Sequence, residues 1–152
     1  MAEVPGTGAV DEASATQVRG PAYDGEGTDM TNWNDSELGK IGAAEELELR
    51  SERADGTLRT PVTMWVVRVG DQLYVRSVKG TEGPWYRGTR SRHEGVVEAG
   101  GVRKDVTFVE AGSGEHDDVD TAYRAKYGHY STIIETVLTE QARTSTLRLE
   151  PR

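Results

Sequence analysis

LRTPVTMWVVRVGDQLYVRSVKGTEGPWYRG, running from Leu58 to Gly88, is the stretch that decides how this chain is read. Val62 to Val69 and Leu73 to Val78 are dense in β-branched and aromatic residues, and Gly70-Asp71-Gln72 between them has the composition of a tight hairpin connection. Two strands joined there, followed by the rigid Gly83-Pro84-Trp85-Tyr86 corner, predict a β-rich fold with a sharp exit from its central hairpin. Each run carries an interior arginine, Arg68 and Arg76. An arginine in a β run commonly points to solvent. Behind Arg76, however, Ser77, Lys79, Gly80, Arg87 and Arg90 supply the hydroxyl, ammonium, bare backbone and guanidinium donors that a phosphate or carboxylate requires, so both readings stand.

The 152 residues suit a single domain of ordinary size, able to bury a substantial core. No apolar run approaches the roughly 20 residues needed to cross a bilayer, and the first residues lack the basic start and apolar middle of a secretory signal, so the expected address is the cytoplasm. With no cysteine, disulfides, thiolate metal sites and thiol catalysis are excluded. A net charge of −8 argues against affinity for nucleic acid. Its distribution is uneven. Residues 1–30 carry −5 and few large apolar groups, as a disordered acidic tail does, whereas residues 59–110 carry +3. A cationic β region within an acidic protein is the pattern expected of a small-anion binder, and also of ordinary surface scatter.

Outward from the hairpin, residues 31–152 read as one folded domain. A short helix should open at Asn34, Asp35 or Ser36, with Trp33 ahead of it as a packing residue or staple and Leu38, Ile41 and Ala44 facing inward. Glu46 to Arg53 alternates as a half-buried strand, and Ala54-Asp55-Gly56 signals a turn. Gly95–Ala99 and Arg103–Glu110 form a second hairpin across Gly100-Gly101, with Val102, Val106 and Phe108 as core. After an acidic loop from Gly112 to Asp120, the spacing predicts helices over Val119–Tyr127 and Ser131–Gln141, with Ile133, Ile134, Val137 and Leu138 apolar on the second, and then a closing strand from Thr144 to Glu150. Strands with a few helices to one side make an α+β fold, a small antiparallel barrel.

Few residues have the pattern of catalytic machinery. His93, His116 and His129 are scattered, and no serine is marked as a nucleophile beside them. His116, Asp117 and Asp118 lie close enough in sequence to hold a metal, but solvated loop carboxylates are the simpler account, and no metal site is assigned. Tyr123, Arg124, Lys126, Tyr127 and Tyr130 form an aromatic and cationic cluster that either packs a helix across the barrel or touches substrate. No phosphate-cradling glycine motif occurs.

The run WVVRVGDQLYVRS, the GPWYRG corner, the AGG and KDVTF hairpin, the AYRAKYGHY helix and the terminal TLRLEP together resemble a bacterial family of unknown function, DUF2255, over Trp33 to Arg152. That family in turn resembles the split β-barrel flavoproteins, which include pyridoxamine-phosphate-oxidase-like proteins and deazaflavin-dependent nitroreductase relatives. The resemblance implies that Ser77, Gly80, Pro84, Trp85 and Tyr86 lead into a short helix beside the cofactor, with Arg59-Thr60-Pro61 as a shortened lead-in. Arg87-Gly88 departs from the Asn-Leu usual in those relatives. It further implies a homodimer with the cleft between subunits.

On this basis Trp65, Trp85 and Tyr86 would wall a planar ring, and Arg59, Arg76, Ser77, Lys79 and Arg87 would hold its phosphate or carboxylates. The expected cofactor is the deazaflavin coenzyme or FMN. Tyr123, Lys126, Tyr127 and Tyr130 are the weaker substrate candidates. Two readings follow: an oxidoreductase passing hydride to a small conjugated substrate, or a non-catalytic binder of a small molecule or cofactor. Three tryptophans also suit an ordinary core, and no general acid or base is evident.

Overall fold

The computed structural model describes residues 32–152, so the acidic segment 1–30 lies outside the described residues. The first element is α1 (Asp35–Ala43), opened by a reciprocal cap in which Asn34 Oδ1 accepts from the Glu37 amide and Glu37 Oε1 accepts from the Asn34 amide. Trp33 is more than a staple: it is buried, and its indole N–H donates to the Leu149 carbonyl at 2.8 Å, fastening the segment ahead of α1 to the last strand, Leu147–Pro151.

Seven strands follow: β1 (Leu47–Ser51), β2 (Val62–Met64), β3 (Val67–Val69), β4 (Gln72–Val75), β5 (Glu94–Ala99), β6 (Val102–Glu110) and β7 (Leu147–Pro151). They form one antiparallel sheet in the order β2-β1-β5-β6-β7-β4-β3. The two edge strands are consecutive in sequence. Met64 and Val67 are three residues apart, a span of at most roughly 11 Å, so the sheet must curl until its two edges nearly meet. The result is a split barrel flanked by helices. The expected continuous strand from Val62 to Val69 is therefore two strands on opposite edges, and only β3 forms the hairpin with β4, in register Val69↔Gln72.

At the split, Val66 has no strand partner, yet a buried backbone amide and carbonyl must be satisfied. Helix α3 (His116–Tyr127) supplies both partners. The Tyr127 hydroxyl accepts from the Val66 amide at 3.2 Å and donates to the Glu45 carbonyl at 2.8 Å, and Lys126 Nζ donates to the Val66 carbonyl at 2.7 Å. Two side chains thus stand in for a neighbouring strand.

The barrel interior is filled by residues such as Leu47, Leu49, Leu73, Val106, Phe108 and Leu149. A second core, with Val67, Tyr74, Val119, Tyr123, Tyr127 and Val137, lies where α3 covers the outer face of β3 and β4. That covering explains why Leu73, Tyr74 and Val75 are all buried, without alternation. Val106 and Phe108 are core as expected, whereas Val102 is only half-buried.

Three further expectations change. Strand β4 ends at Val75 rather than Val78, because the Ser77 amide donates to Ser145 Oγ instead of continuing the ladder with β7. The helix expected over Ser131–Gln141 is a 3₁₀ segment, Ile133–Val137, followed by α4 (Glu140–Arg143), which Thr139 caps through the Ala142 amide. A run rich in β-branched residues and a strong N-cap midway favour that division, and it leaves Ile133 54% exposed. The acidic loop is short, since α3 already begins at His116. Its carboxylates are not merely solvated: Glu115 accepts from Tyr74 and pairs with Arg148, Asp117 pairs with Arg143, and Asp120 pairs with Arg76.

Candidate functional site

Beyond β4 the chain leaves the sheet through Arg76-Ser77-Val78-Lys79 and turns back at Gly80 into α2 (Pro84–Thr89). Gly80 has φ +66°, and a Cβ there would stand 2.5 Å from Gln141 Cγ and 2.8 Å from the Gln141 carbonyl oxygen, so only glycine makes this turn against α4. Pro84 takes the first helical position behind Gly83, where a missing amide hydrogen costs nothing. This geometry sets Trp85 beside β2, at the boundary between two adjoining clefts.

The first cleft is a hollow of about 280 Å³ along the free edge of β2, lined by Val62, Thr63, Met64, Trp65, Arg76, Val78, Trp85, Ile133, Thr136 and Val137. Apart from Arg76 its side chains are apolar, indole or hydroxyl. Val78 and Ile133, 52% and 54% exposed, are the large hydrophobic residues left in solvent among the described residues, and both belong to this hollow. The second cleft, about 320 Å³, shares Val62 and Trp85 with the first and adds Arg53, Arg59, Thr60 and Pro84. An apolar slot with two tryptophans therefore adjoins a cationic trough, each near the smaller end of the size usual for ligand pockets.

Arg59 is held ready in the trough. Its Nη1 donates to the carbonyls of Glu52 (2.8 Å) and Gly88 (3.1 Å), and Nη2 donates to Ser91 Oγ at 3.1 Å. Gly88 makes this possible. A Cβ there would come within 3.0 Å of Ser51 Oγ and 3.3 Å of Arg59 Cδ and Nε. The Arg87-Gly88 departure thus leaves α2 intact and clears space for Arg59. Arg53 is freer, with Nη1 engaged by Thr57 and the Leu58 carbonyl and the rest of the guanidinium exposed.

Arg76 behaves differently from the sequence reading. Its side chain is 0% exposed, and four of the five donors of a guanidinium are used: Nε to Thr146 Oγ1 (2.8 Å), Nη1 to Asp120 Oδ1 (2.5 Å) and to the Val137 carbonyl (2.8 Å), and Nη2 to the His116 carbonyl (3.1 Å). Its guanidinium also lies 5.5 Å from the Tyr123 ring centre. It forms the floor of the hollow and is a structural ion pair, not a free cation.

The other sequence candidates divide in the same way. Trp65 and Trp85 reach the hollow from opposite elements. Tyr86 is buried in the barrel core with Arg90 over its ring, so it does not wall the cleft, and burial together with nearby Glu110 raises its pKa. Ser77 and Gly80 are buried in the turn. Lys79 and Arg87 are exposed and line neither cleft. Of the substrate candidates, Tyr123 is fully buried, Lys126 and Tyr127 clasp Val66, and Tyr130 donates to the Glu45 carboxylate. Burial lowers the Lys126 pKa to about 8 against the opposing pull of Glu45, and burial raises that of Tyr127 to about 12.

Arg53, Val62, Met64, Val78, Ile133 and Thr136 were not marked in the sequence. Val78 lies in the turn beyond β4 and Ile133 opens the 3₁₀ segment, while Arg53 lies in the turn after β1, and no local pattern marks any of the three as a site residue.

Among the described residues no helix is long and apolar enough to cross a membrane. Solved structures share the fold. One described as "Structure of F420-H2 Dependent Reductase (FDR-A)" superposes with a TM-score of 0.54 at 16% identity, covering 70% of this chain and 94% of that one. A structure described as a domain-swapped dimer gives 0.53 at 18% identity, over 70% and 80% of the two chains. A conserved hypothetical protein from Mycobacterium tuberculosis gives 0.52 at 11% identity, over 81% and 82%. No curated protein matches the chain. Residues 37–149, nearly the whole of the described domain, match the family of uncharacterized proteins conserved in bacteria, and the chain is a member of that family, DUF2255.

Proposed function

We propose that this protein binds a flavin or deazaflavin in its two-part cleft, and that it acts as a cytoplasmic, homodimeric oxidoreductase passing hydride to a small conjugated substrate. The observation that carries the reading is the junction at Trp85 of an apolar slot, sized for a planar ring, with a trough bearing Arg53 and Arg59. A ring of this class supplies the hydride chemistry when bound, and the protein has to hold it, grip its anionic tail and exclude water. Trp65 and Trp85 would flank the ring, while Arg53, Arg59 and Thr60 would take phosphate or carboxylate, with Lys79 and Arg87 outside this first contact. The fold shared with a protein described as an F420-H2-dependent reductase supports the choice of ring. The dimeric relative and the exposed Val78 and Ile133 support an apolar contact between two copies at the rim.

The test is a titration of the protein into the deazaflavin coenzyme and into FMN. Quenching of ring fluorescence with micromolar affinity is expected, and no change with either at high protein concentration overturns the reading.

A second reading, a binder without catalysis, is favoured by one observation. Among the described residues no Asp, Glu, His, Lys or Tyr side chain lines the apolar hollow, so none of them offers a general acid or base to a ring placed there. Mixing the protein with reduced coenzyme and a panel of quinones, enones and nitroaromatics separates the two readings, because a pure binder would retain the coenzyme without oxidising it.

A further inference from the structure

Each tryptophan of the hollow touches a tyrosine, but the two pairs differ electrostatically. Trp85 meets Tyr86 edge-on with ring centres 6.2 Å apart. The Arg90 guanidinium lies 5.1 Å over Tyr86, and the Tyr86 hydroxyl reaches Glu110 only at 3.4 Å. A cation over an aromatic face opposes removal of an electron from that ring. Trp65, on the other wall, stacks on Tyr127 at 4.2 Å and 7° and lies 5.4 Å from Tyr130. Tyr127 is closed in the same manner as Tyr86, with Lys126 Nζ 4.9 Å from its ring centre and its hydroxyl directed at backbone carbonyls, which are poor proton acceptors. Tyr130 differs on both counts. Among the described residues no arginine or lysine lies over its ring, whose packing partner is the His129 imidazole at 4.1 Å and 38°, and its hydroxyl donates to the exposed carboxylate of Glu45.

A phenol gives up an electron readily only when its proton has somewhere to go, since the phenol radical cation is a strong acid. A carboxylate already holding that proton in a hydrogen bond meets the requirement.

We infer that Trp65, Tyr130 and Glu45 form an exit for oxidising equivalents, leading from the hollow to the protein surface. Trp65 would lose one electron to a one-electron oxidant held in the hollow, such as a light-excited flavin, which is reduced by that electron, and would become a radical cation. Trp65 then regains an electron from Tyr130 while the phenolic proton passes to Glu45. A neutral tyrosyl radical remains at the surface, and both the hollow wall and Arg76 beneath it are spared. The natural oxidant follows from the proposed ring site, but the exit is a property of these three side chains alone.

The absence of cysteine allows a clean test. Val78→Cys places a single thiol on the hollow, to be labelled with a maleimide-linked flavin, so that the oxidant is present whatever the affinity for free coenzyme. After a blue laser pulse, transient absorption and freeze-quench electron paramagnetic resonance should report a neutral tyrosyl radical. Tyr130→Phe should abolish it and leave a longer-lived tryptophan radical cation. Glu45→Gln should slow the tryptophan-to-tyrosine step by about tenfold or more. Tyr86→Phe should change nothing, and Trp65→Phe should remove most of the radical yield. A tyrosyl signal that survives Tyr130→Phe, one lost with Tyr86→Phe, or none in the labelled parent overturns the inference. Tyr130 is partly exposed, so its variant keeps the test decisive even if Trp65→Phe folds poorly. Failure of the coenzyme titration with success here would reject the ring reading and leave the exit standing.

Discussion

Arg76 and the Arg53–Arg59 pair are similar objects in the sequence, arginines in or beside β strands, and the fold gave them different surroundings. Arg76 lies where β4 ends and the second core begins, and a carboxylate, two carbonyls and a hydroxyl surround it. Arg59 sits on the outside of the barrel, half-buried and braced through both terminal nitrogens, with Nε and one Nη2 hydrogen unspent among the described residues, and Arg53 is exposed and held through Nη1 alone. A buried guanidinium is stable only when its donors are consumed, whereas an anion site needs donors left over. Counting free donors, rather than cations, separates a structural arginine from a binding one.

The largest effect should come from breaking the first member of that comparison. Arg76→Met leaves Asp120 with Arg143 alone among the described residues, at 3.4 Å, and takes the donor from a hydroxyl and two carbonyls, and is expected to cost about 3 kcal/mol in urea unfolding. Arg76→Met combined with Asp120→Leu should recover much of the loss. A single variant that stays stable but no longer binds FMN would move Arg76 into the trough's class.

Trp85 belongs to both regions, half-buried against the barrel core and lining both clefts. Trp85→Ala should therefore cost about 2 kcal/mol, below the range for a fully buried aromatic. Its affinity for the ring should fall by about tenfold, equal to about 1.4 kcal/mol. Fluorescence titration of the folded variant against its unfolding curve measures the two effects separately, and a large loss of stability with unchanged affinity would return Trp85 to the core.

Arg53→Ala should leave stability within about 0.5 kcal/mol, because the residue is exposed and removes no buried contact. Affinity for a phosphate-bearing ring should drop by about threefold, more at low salt than at high salt. Equal loss for riboflavin, which lacks the phosphate, would argue against an anion role for the trough.

The smallest effect concerns the clasp at the split. Lys126 has a pKa near 8 in the folded protein and about 10.5 when unperturbed. Between these values the unfolded chain binds more protons than the folded one, so the Lys126 contribution makes stability rise with pH through that window. The shift is modest in its consequence because the group is only half-buried. Urea midpoints across the window should climb less steeply in Lys126→Met than in the parent, and identical slopes would show that burial does not penalise the ammonium.

Much of the local structure was legible in advance for reasons that are themselves local. The Asn34–Glu37 cap, the alternation of β1, the Gly100-Gly101 hairpin and the terminal strand depend on side chains within a few residues of one another. The ordered succession of motifs also marked the family, and two of the walls, Trp65 and Trp85, were marked with it. What the reading missed depends on residues far apart in sequence. Nothing between Val62 and Val69 shows a break, because the break is made by Tyr127 and Lys126, some sixty residues on, which replace the strand partner of Val66. Ile133 was assigned to a core helix because its type is apolar, yet the cap at Thr139 and the shorter 3₁₀ turn direct it to the rim.

The sequence by itself determined that short strands and turns precede a helical segment and a closing strand, and that a cationic, tryptophan-bearing corner existed. Only the tertiary structure decided which cation was spent and which was left available. Periodicity and capping are short-range properties that each residue carries along the chain, but the state of a guanidinium depends on acceptors brought from Asp120, Val137 and Thr146 by the closing of the barrel and its helices. No local rule contains that information, because those partners meet only in the folded protein.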